Sequence, residues 1–125
     1  MRLRRPSIAA ILTVIVCVSC TPGLQPPALA PMMTPTGMRF SLVDADAKTV
    51  ALVGAFNQWS ASSHQLTRDG TTNIWTLVVP LPPGEHLFMF VIDGSRWVTP
   101  PLADDFVNDG FGSKNGVVIV RPQER

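Results

Sequence analysis

Residues 50–59 read VALVGAFNQW, and the rest of the chain is best understood outward from them. Val50, Leu52, Gly54 and Phe56 recur at a period of two, which predicts a strand over residues 49–56 with one buried face. The pattern then breaks into Asn57-Gln58-Trp59. A polar pair followed by an indole places a large flat aromatic in a loop, where a core does not require one. Trp59 is therefore expected on a binding face.

Composition bounds what surrounds this stretch. A chain of 125 residues has room for one domain, and 46% apolar content suits a globular core. The 12 prolines fall mostly outside the apolar runs, which favours short strands separated by turns over long helices. From residue 20 onward there are seven Lys and Arg against nine Asp and Glu, a net of −2. No clustered basic surface is implied, and nucleic acid is not an expected partner.

The first segment reads as a targeting signal. Arg2, Arg4 and Arg5 precede a mostly apolar run over residues 8–18, then Ser19 and Cys20. The run is too short for a spanning helix, which needs ~20 apolar residues, and the arrangement is that of an export signal. Apolar residues ahead of Ser19-Cys20 resemble the lipobox of bacterial lipoproteins, although Cys17 stands where that motif usually has leucine. Cys20 is thus the expected lipidation site, with a plain secretory signal as the alternative. The expected address is the cell envelope, the protein being held at a membrane by lipid. Both cysteines lie in the first 20 residues, so the domain beyond has none to pair or to bind metal. Neither a metal nor a cofactor is expected.

The remaining chain divides at changes of pattern. Residues 21–37 hold five prolines and no charge, so residues 20–37 read as a semi-rigid tether of extended chain, reaching roughly 50 Å if fully stretched. A domain over 38–121 and a tail over 122–125 follow. Within the domain, strands are expected over 39–43, 49–56, 74–79, 86–92, 96–98 and 117–121. Asp44-Ala45-Asp46, Asp69-Gly70, Pro82-Pro83-Gly84 and Asp93-Gly94 supply turns, and residues 100–116 read as a long loop. Six or seven short strands, without a helical period, predict an all-β antiparallel sandwich.

The order of these pieces also carries a family likeness. GAFNQW, Ile74-Trp75, PLPPGEH, LFMFVIDG, Trp97 and DGFGSKNGVVIV resemble, in order and spacing, the glycogen-binding domain of the AMP-activated protein kinase beta subunit. More broadly they resemble carbohydrate-binding module family 48. The resemblance covers residues 50–120 and implies an immunoglobulin-like, early-set sandwich that binds α-1,4-glucans on one face. It implies Trp59 and Trp97 as sugar-stacking platforms, Asn115 as the hydrogen-bonding amide, and Phe111 as an apolar contact beside the sugar. Met89 stands where the family often has a lysine and offers an apolar edge contact instead. Thr99-Pro100 replaces the usual Asp-Pro.

Each of these residues also has a plainer role open to it. Trp75, at mid-strand, is expected in the core. Trp59 and Trp97 could be rim residues without a ligand, and Asn115 before Gly116 could be a turn residue. Catalysis finds little support. His64 and His86 lack acidic or thiol partners at catalytic spacing, Glu85 and Glu124 are the only glutamates, and there is no phosphate loop or nucleophile elbow. Asp104, Asp105 and Asp109 match no calcium-loop spacing. The expected protein is a noncatalytic, monomeric module for α-glucan or maltooligosaccharide. The rival expectation uses the same apolar face to dock another envelope protein.

Overall fold

The computed structural model describes Leu3 and residues 30–123. Cys20, the rest of the signal segment and most of the expected tether lie outside the described residues. Two antiparallel sheets face each other. The first contains β1 (Met32–Thr34), β2 (Gly37–Val43), β4 (Thr67–Arg68) and β5 (Ile74–Val79), in the order β1-β2-β5-β4. The second contains β3 (Val50–Gly54), β6 (Gly84–Ile92), β8 (Asp105–Asn108) and β9 (Lys114–Val120), in the order β3-β6-β9-β8, with β7 (Arg96–Val98) beside β6. The expected all-β sandwich is the observed fold.

Period-two alternation fills the space between the sheets. Met38, Phe40 and Leu42 from β2, with Trp75 and Val79 from β5, meet Val50, Leu52, Phe88, Phe90, Ile92, Val118 and Val120 from the second sheet. Phe88 is the hub: its ring sits edge-on to Phe40 at 5.0 Å and to Phe90 at 5.9 Å. Such edge-to-face pairs add to the burial of the rings themselves. Trp75 is in the core as expected, and its indole N–H donates to the Asp44 carbonyl at 2.9 Å, so this donor is paired.

Aspartates fix the turns at one end of the sandwich. The Asp93 carboxylate accepts from the backbone N–H groups of Lys48 and Thr49 at 2.7 and 3.0 Å, tying the β6–β7 turn to the start of β3. Asp44 accepts from Asp46 and Ala47 at 2.9 and 2.8 Å and pairs with Arg96 at 3.2 Å. Backbone N–H donors hold both carboxyls below the usual carboxylate range, Thr49 contributing most at Asp93 and Ala47 most at Asp44.

Several boundaries differ from the sequence reading. Met32–Thr34 pairs with β2, so the end of the Pro-rich stretch belongs to a sheet and is not extended chain alone. Residues 100–116 are not one loop: β8 pairs with β9 from Asp105 to Asn108, and β9 begins at Lys114. β4, a two-residue strand, lies in the polar stretch after Trp59, which brings the described strands to nine. The opening strand ends at Gly54, and Phe56 sits in a 3₁₀ turn (Ala55–Asn57) while still packing on the core.

The most consequential difference concerns β3, expected to bury one face and found buried on both. Residues 64–66 run along its free edge, the Leu52 N–H donating to the His64 carbonyl and the Leu66 N–H to the Val50 carbonyl, each at 2.8 Å. Trp59 and Ala61 then cover Ala51 and Val53 from the outside. Gly54, where the strand turns, has no room for a side chain, because a Cβ would overlap the Leu87 carbonyl oxygen and the Phe56 ring. Gly54→Ala is expected to destabilise the fold by about 1–3 kcal/mol, as overpacking does. Urea unfolding followed by tryptophan fluorescence measures it, and a midpoint equal to wild type would contradict the close packing.

Candidate functional site

The outer face of the second sheet carries its own apolar cluster: Ala51 and Val53 from β3, Met89 and Val91 from β6, with Trp59 and Ala61 against them. Trp97 lies on the same face, because it pairs with Val91 across β6 and β7. Together Trp59, Met89, Trp97, Thr99, Asp109, Phe111, Ser113 and Asn115 line an open depression of about 450 Å³. All five residues singled out for binding, Trp59, Trp97, Asn115, Phe111 and Met89, meet at this one place.

Trp59 is set there by a strained backbone. Gln58 and Trp59 both have left-handed φ, 54° and 59°. A bulky residue in that region is uncommon and persists where its surroundings over-determine it. Here the surroundings are a buried amide. Asn57 accepts from the Gly54 N–H at 3.0 Å through Oδ1. Through Nδ2 it donates to the Leu52 carbonyl and to His64 Nδ1, both at 2.9 Å. The carbonyl contact fixes which end of the amide is the donor, so His64 Nδ1 accepts. The Trp59 N–H closes the turn on the Gly54 carbonyl at 3.0 Å.

The other wall comes from the β7 strand and the β8–β9 hairpin. Trp97 is 52% exposed and Phe111 is 92% exposed, so neither is required by the core. Asn115, which could have been a turn residue, is instead a strand residue of β9 opposite Val107. Met89 was expected at the edge of the site; at 6% exposure it is the floor, held between Val53, Val91 and Trp59. A ring resting there meets apolar groups below and an amide and hydroxyls at the side. That mixture suits a pyranose, whose C–H face stacks on indole and whose hydroxyls need polar partners.

Three lining residues escaped the sequence reading as members of the site: Thr99, Asp109 and Ser113. The Thr99 hydroxyl donates to the Lys114 carbonyl at 2.8 Å, stapling the end of β7 to β9. The signal for the other two was the alternation of glycine around Phe111 in Asp109-Gly110-Phe111-Gly112-Ser113, which marks a tight turn presenting its central residue. Among the described residues no group of three or more His, Cys, Asp or Glu could hold a metal ion. Asp104 accepts from the Ile119 N–H at 2.7 Å and Asp105 from the Phe106 N–H at 2.8 Å, each occupied locally and apart from Asp109.

The family model of Carbohydrate-binding module 48 (Isoamylase N-terminal domain) matches residues 28–103. The chain belongs to this family. Similar proteins include the 1,4-alpha-glucan branching enzyme GlgB of Pseudomonas syringae pv. syringae, 33% identical over 69 residues, which are 54% of this chain and 9% of the enzyme. The enzyme of the same name from Mycobacterium ulcerans is 33% identical over 78 residues, 62% of this chain and 10% of the enzyme. That from Bacillus caldolyticus is 38% identical over 56 residues, 45% of this chain and 8% of the enzyme. The chain thus spans about a tenth of the length of these relatives. The early-set sandwich expected from the resemblance holds, and the protein carries a carbohydrate-binding module. The family match reaches Trp59, Met89 and Trp97 and stops short of Phe111 and Asn115.

Asn57→Ala tests how the module holds its first tryptophan. Removing the amide leaves the buried Gly54 N–H and Leu52 carbonyl without partners, at a cost of about 2–3 kcal/mol. The melting temperature should fall, and the release of Trp59 should red-shift the emission of the still-folded protein. Unchanged stability would show that the strained turn is held by other contacts.

Proposed function

We propose that the protein is an exported, lipid-anchored, monomeric module that binds α-glucan without catalysing its conversion. The observation that carries this reading is the convergence of Trp59, Trp97, Phe111, Met89 and Asn115 on one open depression of the sheet. The two indoles offer flat stacking surfaces, Asn115 a donor and acceptor for hydroxyls, Met89 the floor and Phe111 an apolar side contact. Family membership supports carbohydrate as the ligand, and the branching enzymes that the chain resembles are named for 1,4-alpha-glucan.

The expected affinity is modest. Two aromatic stacks at ~1–3 kcal/mol each, by analogy with bases on aromatics, less the cost of association, give a Kd of order 0.1 to several mM. Titration with maltoheptaose, read by tryptophan fluorescence, should saturate in that range. Trp97→Ala should weaken binding at least about tenfold, since it removes one of two stacks. Because Trp97 is half exposed, the same change should leave the melting temperature within about 1 °C. A flat titration up to 10 mM, a level set above the estimated Kd, counts against the glucan reading.

A second reading rests on Met89 standing where the family often has a lysine. An apolar floor flanked by two indoles and a nearly bare Phe111 also suits an envelope protein as partner. A flat glucan titration would favour it.

Envelope attachment rests on the lipobox-like Ser19-Cys20. Cys20→Ser is expected to abolish labelling by radioactive palmitate and to move the protein from the membrane fraction to the soluble one. Labelling that survives the substitution would exclude Cys20 as the acyl acceptor.

A further inference from the structure

The turn that carries Phe111 to the depression is built by a carboxylate that lines the depression itself. Asp109 Oδ1 accepts from the Phe111 N–H at 2.7 Å and from the Ser113 N–H at 3.1 Å, and the Asp109 N–H donates to the Ser113 carbonyl at 3.0 Å. Gly110 and Gly112 take φ of 84° and 91°, which lets five residues close on themselves with Phe111 at the tip. Asp109 is half-buried among the lining residues, and its Oδ2 has no hydrogen-bond partner among the described residues.

Among the described residues the lining holds no Lys, Arg or His. Its formal charge is therefore that of Asp109 alone. Lys114, between the lining residues Ser113 and Asn115, is exposed and is not itself a lining residue; its backbone carbonyl takes the Thr99 hydroxyl. Arg96 is committed to Asp44 at 3.2 Å. Ser113 and Asn115 can each donate and accept, the Thr99 hydroxyl can still accept after giving its proton to the Lys114 carbonyl, and all three are uncharged. An ionised carboxylate only accepts, which suits a hydroxyl and repels an anion. Apolar walls on several sides screen that repulsion less than open water would.

We propose that Asp109 determines the specificity of the site: its Oδ2 accepts from a hydroxyl of the bound sugar, and its charge excludes acidic glycans. The ligand class is then neutral α-glucan. This rests on the glucan-binding reading above. The polar contact that a lysine would have supplied at Met89 comes instead from the hairpin, with the opposite sign and the opposite preference.

The test compares full-length protein with Asp109→Asn and Asp109→Ala, each titrated with maltoheptaose and with maltoheptaose oxidised to carboxylates at C6, at low and high salt. Wild type should bind the neutral sugar about tenfold more tightly than the oxidised one at low salt, with the ratio shrinking at high salt. Asp109→Asn keeps an oxygen for the turn, so it should melt like wild type. It should bind maltoheptaose about three- to tenfold more weakly, and its neutral-to-acidic ratio should fall towards one. Asp109→Ala unties the turn and should lose more. Wild-type affinity and ratio in Asp109→Asn would overturn this inference alone, as would a wild type that binds both sugars equally. A wild type that binds neither overturns the glucan reading and this inference with it.

Discussion

The structure depends on the burial of β3 and the C-terminal half of β6 on both faces. One face of these strands, with Val50, Leu52, Phe88, Phe90 and Ile92, forms half of the sandwich core. The other, with Ala51, Val53, Met89 and Val91, would be bare in a simple two-layer fold, and is instead the apolar bed on which Trp59 rests. Covering it required the chain to reverse at once after Gly54. That requirement explains the left-handed backbone at Gln58 and Trp59 and the buried amide of Asn57. Fold and site are thus two sides of one pair of strands.

The two walls of the depression are held by different means. Trp59 stands on a buried hydrogen-bond network, where each missing partner would leave a desolvated polar group behind. The β8–β9 hairpin stands on a single exposed turn stabilised by one aspartate, with glycine on either side of Phe111. The first wall is thus tied into the core, and the tip of the second rests on a surface turn.

Much of this was legible in the sequence, and the reasons it was are physical. Alternation in 39–43 and short apolar runs in 50–54 and 74–79 announce strands, and indoles beside polar residues at strand ends announce surfaces in search of a partner. What stayed hidden lacked a local signal. The run Val50-Ala51-Leu52-Val53 is apolar at both parities, but what covers the second face comes from residues 59–66 and is settled only in three dimensions. β8 reads Asp-Phe-Val-Asn, an exposed edge strand with no alternation, and it exists because β9 offers it backbone partners. β1 lies among prolines that argue for extended chain. His64 reads as a solvated histidine until Asn57, seven positions earlier, is folded against it.

The tip at residues 109–113 contributes nothing to the core, since Gly110, Phe111, Gly112 and Ser113 are all exposed. It is connected to the rest through the paired ends Asn108 and Lys114, so its length and lettering can change while the ladder beneath it stays as it is. The sandwich therefore behaves as a chassis with a removable tool. Evolution, or a designer, could rewrite those five letters to reshape the rim of the depression, without renegotiating the packing that keeps the indoles in place.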